Sequence, residues 1–379
     1  MFKHSHMRYL KDHRIVMTLD AGGTNFVFCA VQGEEEIIEP VCLPAYGENL
    51  QQVLETIITG FKEVKSAVKG NPVAISFCFP GPAEYELGII GNLENLPSFR
   101  GGVALGDMLS GVFEVPVFIN NDGDLFTYGE AIAGMLPEIN LRIADSDSPK
   151  SFRTLFGATF GTGYGGGIVS RGQLYLGDNS AQGEINRMRN KLYPEWSAEE
   201  SVSIRGIRRV FAREAEIDPT ACPMPKEIFE IGMGIKEGNK KAAIKAFEEF
   251  AIVAGDSLAN ASTLADGLVV LGGGLAGAHP LFLNRLVEEM NQSFSSFAGK
   301  SLHRLEITVY NLEDEVGFKD FKQGDTREIT VPFTTRKIKY DPLKRIGVGI
   351  SRLGTSRAVS VGAYTYALAQ LDQRSLLKG

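Results

Sequence analysis

The chain has 379 residues, and its 44% hydrophobic content is enough for two globular domains with ordinary cores. Its formal net charge of -7, with acidic and basic residues mixed along the chain, excludes the clustered basic surface that is typical of nucleic-acid binding. No apolar run approaches the roughly 20 residues that span a bilayer, and the amino terminus lacks the apolar region of a secretion signal. The four cysteines are scattered singly, so we expect a cytoplasmic protein with no membrane or nucleic-acid partner.

The amino-terminal part of the chain begins with a predicted β-hairpin. Two apolar, partly β-branched runs at 15–19 and 26–31 flank the stretch DAGGTN at 20–25. Glycine is unfavourable inside a strand, so the two glycines indicate a tight turn or the close approach of another group to the backbone.

The next segments alternate helix and strand. Apolar residues from Leu50 to Val68 recur with helical spacing and predict an amphipathic helix that ends at Gly70. The buried strand VAISFCFPGP follows, and a further strand at 115–119 ends in the polar run NNDGD at 120–124. Polar residues at the carboxyl end of a strand are a common place for ligands in α/β sheets.

The second half of the chain repeats this design. The strand TLFGATF runs into the glycine-rich turn GTGYGGG at 161–167 and a returning strand. A helix is predicted at 240–264, then the strand GLVVL before GGG at 272–274, and a closing helix at about 358–371. The recurrence of an apolar strand, a glycine turn and a returning strand predicts two related α/β domains that face each other.

Residues 303–346 break this pattern. Apolar residues alternate with polar ones at 305, 307 and 309 and again at 329, 331 and 333, which predicts a β-rich insertion. An oligomer contact and a flap over a cleft are both open as its role.

Glycine turns of this kind are suited to binding phosphate. Their backbone N–H groups converge, and the missing Cβ lets an anion approach closely. Any one cluster could instead be only a tight turn or a site of close helix–strand packing. Two hairpin turns, with Thr24 and Thr162 offering hydroxyls, and a third cluster after a strand together favour nucleotide binding.

The motifs occur in an order that resembles a known family. DAGGTN, FPGP, NND, FGTGYGGG, the GE pair at 183–184, VLGGG and the late SRLGTSRAVSVGA are similar to successive motifs of the ROK family of sugar kinases and repressors, over nearly the whole chain. The resemblance implies an α/β, two-domain actin-like ATPase fold, with duplicated ribonuclease H-like domains and a central cleft where ATP and sugar meet. We expect an amino-terminal domain at 14–122 plus 357–379 and a carboxyl-terminal domain at 123–356.

The resemblance also implies site residues. Asp122 is expected to be the catalytic base, in line with phosphoryl transfer by positioning and charge stabilisation, and helix capping is its alternative role. Asp20 is expected to hold Mg²⁺ through water, or else only to brace its turn. The expected nucleotide-binding residues are Asp20, Gly22, Gly23, Thr24, Asn25, Gly161, Thr162, Gly163, Gly272, Gly273 and Gly274. The expected sugar-binding residues are Asn95, Asn121, Asp122, Glu184, Arg187 and Glu200. Glu200 or its neighbour Glu199 could instead be a solvated helix charge.

The sequence departs from the family at Arg187. Many relatives continue the GE pair as GEIGH and bind structural zinc through that histidine and a nearby cysteine-rich segment. Here Arg187 stands at the histidine position, and no cysteine lies between Cys78 and Cys222. Because zinc needs about four N or S ligands, we predict ATP and Mg²⁺ as cofactors but no zinc. Arg187 could donate to a hydroxyl or a carboxylate instead, and Tyr193 and Trp196 could pack the loop that zinc would otherwise fix.

Three functions are compatible with this pattern. The first is an ATP-dependent kinase that transfers the γ-phosphoryl group to a hydroxyl of a hexose or N-acetylhexosamine, and by family analogy acts as a homodimer. The second is a sugar-sensing regulator, which in this family carries a winged helix-turn-helix before the first glycine turn, whereas only 19 residues precede Asp20 here. The third is a catalytically silent sugar- or nucleotide-binding protein, which Arg187 keeps open.

Overall fold

The computed structural model describes residues 7–21, 25–33, 35–45, 49–81, 83–91 and 97–378. Of the expected site residues, Gly22, Gly23, Thr24 and Asn95 lie outside these ranges. Contacts divide the chain into two compact units. Unit 1 is Met1–Gly134, Gly172–Gly183 and Ser356–Gly379, and unit 2 is Met135–Arg171 and Glu184–Thr355. Unit 1 therefore continues past residue 122, where the sequence suggests a boundary.

Strands and helices are named in chain order. The strands are β1 (Ile15–Ala21), β2 (Asn25–Gln32), β3 (Glu35–Glu36), β4 (Val41–Pro44), β5 (Pro72–Cys78), β6 (Ile89–Ile90), β7 (Val103–Ala104), β8 (Val117–Asn120), β9 (Thr154–Phe160), β10 (Tyr164–Ser170), β11 (Gln173–Tyr175), β12 (Leu268–Gly272), β13 (Ser293–Ser295), β14 (Ser301–His303), β15 (Thr308–Asn311), β16 (Arg327–Thr330), β17 (Lys337–Tyr340) and β18 (Arg345–Ile350). The α-helices are α1 (Leu50–Ala67), α2 (Leu105–Phe113), α3 (Asp122–Ile132), α4 (Met135–Ala144), α5 (Ile204–Ala215), α6 (Pro225–Met233), α7 (Lys240–Ala265), α8 (His279–Met290), α9 (Glu315–Gln323) and α10 (Thr355–Lys378). Among the described helices, none combines the length and the apolar character that crossing a membrane requires.

Unit 1 is built on a sheet in the order β3-β2-β1-β5-β8, with β4 also paired to β2. The predicted hairpin is confirmed, since β1 and β2 pair antiparallel from Val16↔Val31 to Ala21↔Phe26. Strands β5 and β8 run parallel to β1. The carboxyl ends of β1, β5 and β8 therefore meet at one edge of the sheet.

Helices cover both faces of this sheet. Alternation along each strand sends Met17 and Ile75 toward α1 and α2, and sends Val16 and Ala74 toward α10. The predicted amphipathic helix is confirmed as α1, which buries Val53, Ile57, Phe61 and Val64 on its apolar stripe. The result is a helix–sheet–helix sandwich with a hydrophobic cluster on each face of the sheet.

Unit 2 repeats the arrangement on a sheet in the order β11-β10-β9-β12-β18-β15. Its glycine hairpin is confirmed as β9 and β10, which pair antiparallel, and β12 and β18 continue the sheet in parallel. In each sheet the hairpin occupies the same place, next to a run of parallel strands. The predicted duplication is therefore present in the strand order of both units.

The core of unit 2 fixes the end of β9. The Phe160 ring lies 5.1 Å from the Phe250 ring of α7 and 6.0 Å from the Phe282 ring of α8. Four residues on, the buried Tyr164 ring lies 5.4 Å from Phe160, and its hydroxyl lies 2.9 Å from Ser257 Oγ. Buried aromatic side chains therefore anchor both sides of the turn at 161–163.

The prediction of a β-rich insertion at 303–346 is correct only in part. Strands β15 and β18 pair parallel within the main sheet of unit 2, and only β16 and β17 form a separate two-stranded hairpin within the segment. The segment also contains α9, whose Phe318 and Phe321 are buried and whose N-cap Asp314 accepts from the amide of Gly317. Two aromatic residues three positions apart on a nine-residue helix are too short a pattern to show helical periodicity.

Candidate functional site

Three polar side chains lie in one row at the carboxyl edge of the unit 1 sheet. In register, Asp20 of β1 is opposite Cys78 of β5, and Cys78 is opposite Asn120 of β8. Residues in register across parallel strands point to the same face, so the row presents a carboxylate, a thiol and an amide together. This edge is where open α/β sheets commonly bind ligands.

Asp122 follows this row at the first turn of α3. The N-cap is Asn121, whose side chain accepts from the amide of Gly123 at 2.8 Å. One carboxylate oxygen of Asp122 accepts from the same amide at 2.9 Å. Helix capping is the alternative role of Asp122, but Asn121 is the N-cap of α3, so Asp122 is not needed as a cap.

The charge environment of Asp122 distinguishes it from an ordinary surface carboxylate. Solvent reaches its side chain, but neighbouring protein atoms remove much of its hydration, and this desolvation raises its pKa. The negative charge of Asp20 raises the pKa of Asp122 further, against hydrogen bonds from the backbone that lower it. Burial also raises the pKa of the Cys78 thiol, with contributions from Asp122 and Asp20, so this thiol stays protonated and inert.

A close helix contact holds α3, and with it Asp122, in place. A Cβ on Gly129 of α3 would lie 2.0 Å from the carbonyl oxygen of Ala358, and one on Gly362 of α10 would lie 2.0 Å from that of Leu125. Only glycine permits this approach of the two backbones. The late motif SRLGTSRAVSVGA thus contributes packing to the same edge, a role that the sequence left unassigned.

The turn at 161–163 in unit 2 has backbone that is open for a ligand. A Cβ on Gly161 would meet nothing within 4 Å, so internal packing does not explain its glycine. The turn is held from behind: Ile204 donates its amide to Gly161 O at 2.9 Å, and Tyr164 donates its amide to Glu199 Oε2 at 3.0 Å. An open, braced glycine turn is suited to close approach by a phosphate.

The third glycine cluster lies at the same edge of the unit 2 sheet. Gly272 ends β12 in register with Thr159 of β9. Gly273 has a φ of 84°, and a Cβ there would lie 2.2 Å from Phe160 O, so fold alone explains this glycine. Gly274 is exposed, and a Cβ there would meet nothing within 4 Å. The open backbone at this edge therefore includes Gly161 and Gly274.

Thr355 is a site residue that sequence reasoning missed. Its hydroxyl accepts from the amide of Gly273 at 2.8 Å, which ties the start of α10 to the glycine cluster. The two residues are 82 positions apart, and only the late motif around 354–357 could have suggested the contact.

The expected sugar-binding carboxylates lie at two short helices. Glu184 immediately precedes the 3-10 helix Ile185–Arg187, makes no side-chain capping hydrogen bond and is partly buried, while Arg187 is exposed. Glu200 ends the 3-10 helix Ala198–Glu200 and pairs with Arg205 at 2.7 Å. This pair lowers the pKa of Glu200.

Glu199 has more contacts than the sequence indicated. One oxygen accepts from Tyr164 at the glycine turn, and the other pairs with Arg205 at 2.9 Å. Its side chain is 25% exposed against 40% for Glu200, so Glu199 is the less exposed of the two carboxylates. Thr162 and Gly163 are exposed in the turn, where a Cβ on Gly163 would lie 2.9 Å from Glu199 Oε2, and Asn25 begins β2 and is exposed.

The described residues contain no group of three His, Cys, Asp or Glu side chains placed to hold a metal ion. The loop between residues 188 and 198 is filled by other side chains: the Tyr193 and Trp196 rings lie 4.7 Å apart, and the Arg209 guanidinium lies 4.4 Å from the Trp196 ring.

Comparisons with known proteins agree with this arrangement. A model of the ROK family matches residues 16–318. The crystal structure of a glucokinase from Parabacteroides distasonis is 52% identical, with a TM-score of 0.89 over 95% of this chain and 99% of that chain. A glucokinase from Halalkalibacterium halodurans is 25% identical over 309 residues, which cover 74% of this chain and 85% of that protein. An N-acetyl-D-glucosamine kinase from Vibrio cholerae is 25% identical over 268 residues, covering 68% of this chain and 83% of that protein.

The family match extends from β1 to α9, and the similar crystal structure covers nearly the entire chain. Both units have the strand order expected for the duplicated actin-like ATPase fold. This chain belongs to the ROK family.

Proposed function

We propose that this chain is an ATP-dependent sugar kinase with glucose as its preferred acceptor. The observation that carries the proposal is Asp122, a carboxylate with a raised pKa at the edge of a sheet, not needed as a helix cap and close to Asp20. The 52% identity to a protein named glucokinase favours glucose over an N-acetylhexosamine.

Asp122 acts as the general base. Its carboxylate accepts the proton of the attacking sugar hydroxyl, which we place at carbon six, as that oxygen bonds to the γ-phosphorus and the bond to the ADP oxygen breaks. A base is more effective when its pKa lies closer to the working pH, so the raised pKa of Asp122 favours this role. Asn121, Glu184 and Glu199 or Glu200 provide hydrogen bonds that orient sugar hydroxyls.

The glycine turns bind the nucleotide. The open backbone at Gly161 and Gly274 lets phosphate and adenosine groups approach the main chain without meeting a Cβ. Backbone amides directed at the phosphates stabilise charge that develops during transfer. Thr355 holds the conformation of the Gly273 turn through its hydroxyl.

Magnesium fits the unit 1 edge. Mg²⁺ prefers one or two carboxylates and retains several waters, and the edge offers the exposed Asp20 carboxylate, near Asp122. At the same edge, the buried Asn120 amide has no hydrogen-bond partner among the described residues on either polar atom, so it is free to contact a water. Asp20 would hold the ion through water, and the ion would neutralise phosphate charge when bound.

Other features of the proposal rest on composition and analogy. The four cysteines are free thiols, which suits a reducing, cytoplasmic environment. The net charge of -7 argues against a nucleic-acid partner. By analogy with the family, the chain forms a homodimer, and it binds no zinc.

A sugar panel tests the function. The purified chain is incubated with ATP and Mg²⁺ plus glucose, mannose, N-acetylglucosamine or N-acetylmannosamine, and ADP release is followed. Sugar-dependent ADP release that is fastest with glucose supports the proposal. Binding of a sugar without ADP release favours a sensor, and faster turnover of an N-acetylhexosamine corrects the substrate.

A further inference from the structure

Residues 188–198, here called the clamp loop, lie between the two short helices that carry the sugar-binding carboxylates. Its ends are joined by backbone hydrogen bonds: Ala198 donates to Met188 O at 2.7 Å, and Asn190 donates to Trp196 O at 3.0 Å. Glu184 precedes the first short helix and Glu199 lies on the second. Closure of the loop therefore fixes the spacing of the two helices.

Asn190 is the centre of the clamp loop. Its side chain is fully buried, and its Oδ1 accepts from the amides of Leu192 at 3.0 Å and Tyr193 at 3.1 Å. Its Nδ2 donates to Ser201 Oγ at 2.8 Å and to Ser197 O at 3.3 Å. One buried amide thus ties the interior of the loop to the segment that follows Glu199 and Glu200, with both polar atoms satisfied.

An aromatic and cationic stack fixes the outer part of the loop. The Tyr193 and Trp196 rings lie 4.7 Å apart at 30°, and the Arg209 guanidinium of α5 covers Trp196 at 4.4 Å. The Tyr193 hydroxyl donates to Glu249 of α7 at 2.9 Å. These contacts join the loop to two helices of the unit 2 core.

A third contact lies beside Asn190. Lys191 pairs with Glu289 of α8, whose side chain is only 2% exposed, and lies 4.0 Å from Asp256 of α7. Arg304 and Arg285 also pair with this carboxylate cluster, so the buried negative charge is compensated. The loop is thus held by a buried amide, by an aromatic stack on α5 and α7, and by an ion pair with α8.

The braced loop leads directly to the glycine turn. Ser203 Oγ donates to Glu199 O at 2.7 Å, and the Glu199 carboxylate receives the Tyr164 amide. A displacement of the clamp loop would therefore move Glu199 first and the neighbouring turn less, since Phe160 and Tyr164 anchor that turn independently.

We propose that the clamp loop is a metal-free device that positions Glu184 and Glu199 for sugar binding, with Asn190 and Trp196 as its positioning residues. The proposal rests on the proposed sugar kinase activity. The side-chain contacts of Asn190, Lys191 and Trp196 hold the loop in place, as a bound metal could otherwise do.

The test separates sugar binding from turnover. Asn190→Ala and Trp196→Ala are compared with Glu195→Ala, an exposed residue of the same loop, as the matched control. We expect both variants to raise the KM for glucose about tenfold, because weakening one hydrogen bond to a sugar hydroxyl costs about that much affinity, with kcat and the KM for ATP within about twofold of wild type. Glu195→Ala should match wild type.

Two further measurements test the clamp loop: the kinetics of Trp196→Ala and the thermal melting of the wild type with a chelator. Trp196 is 38% exposed, so its replacement leaves no internal cavity and reports on the loop if Asn190→Ala fails to fold. Thermal melting of the wild type should be unchanged by 1,10-phenanthroline; a chelator-induced fall would overturn the metal-free clamp. A Trp196→Ala variant with wild-type glucose KM would overturn the positioning role, as would a fall in kcat without a change in KM.

Failure of the proposed function is recognisable separately, because the wild type would then turn over no sugar. Glucose binding measured by calorimetry without ATP would still test the clamp in that case: the two variants should bind glucose about tenfold more weakly than Glu195→Ala. Equal binding by all three would overturn it.

Discussion

Replacing Asp122 with asparagine removes the proposed base while conserving shape. The Asn121 cap on α3 stays, and the new amide oxygen can still accept from Gly123, so folding should persist. Removing the charge also relieves the repulsion that Asp20 exerts at this edge. The melting temperature should therefore stay equal to or slightly above that of wild type.

The expected loss lies in the chemical step. General base catalysis contributes roughly 10²- to 10⁴-fold, so kcat should fall at least about 10²-fold, or about 3 kcal/mol in the barrier. The KM for glucose should change less, because the substituted side chain keeps one acceptor for a sugar hydroxyl. ADP release with saturating glucose and ATP is the assay.

The pH profile gives an independent check. A base must be ionised, so wild-type activity should fall at acid pH with an apparent pKa above the ordinary 3.8 of an aspartate. Asp107→Asn, which changes an exposed carboxylate at the first turn of α2, is the matched control and should retain full activity. If folded Asp122→Asn turned over glucose at near the wild-type rate, the assignment of the base would be wrong.

The remaining predictions concern glycines and one ion pair. Gly161→Ala should raise the KM for ATP without lowering the melting temperature, since its Cβ has open space; unchanged kinetics would contradict the phosphate role. Gly273→Ala should lower the melting temperature by several degrees, because its Cβ would lie 2.2 Å from Phe160 O at a φ of 84°, and a neutral effect would contradict the packing argument. Asp341→Asn should destabilise the protein by about 3–5 kcal/mol in denaturant unfolding, because the fully buried Arg345 would lose its partner. Burial alone would raise the pKa of Asp341, but hydrogen bonds from Arg345 and other donors lower it below the ordinary 3.8. The ionised Asp341 therefore stabilises the folded protein fully above pH 3.8, and this stabilisation is lost as the pH falls through the lowered pKa of the folded state. A shift from neutral to acid pH should therefore weaken wild type more than Asp341→Asn in the same unfolding measurement.

Local patterns predicted much of the fold. Both glycine hairpins, the amphipathic helix α1 and the strands before NND and GGG are confirmed, because each rests on periodicity or turn chemistry within a few residues. The order of strands in the sheets is set by pairing between distant segments. The row of Asp20, Cys78 and Asn120 could therefore not be seen in the sequence, although Asp20 and Asn120 directly follow predicted strands.

The candidate site was predictable where motifs are contiguous and not where contacts are distant. Asp122 is the last residue of the NND motif and could be singled out from it, whereas the hydrogen bond from Gly273 to Thr355 joins residues 82 positions apart. Glu199 and Glu200 look alike in sequence, and Arg205 pairs with both; the amide of Tyr164, which donates to Glu199, distinguishes their surroundings. The helix α9 was missed because two buried phenylalanines cannot show a period.

Product analysis tests the central claim most directly. The wild type is incubated with glucose, Mg²⁺ and ATP labelled at the γ-phosphate, and the labelled species are separated and identified. We predict that the label moves to the carbon-six oxygen of glucose, in equal amount to the ADP formed, and that no transfer occurs with Asp122→Asn on the same timescale. Label released only as inorganic phosphate, or retained in ATP with every sugar tried, would contradict the account.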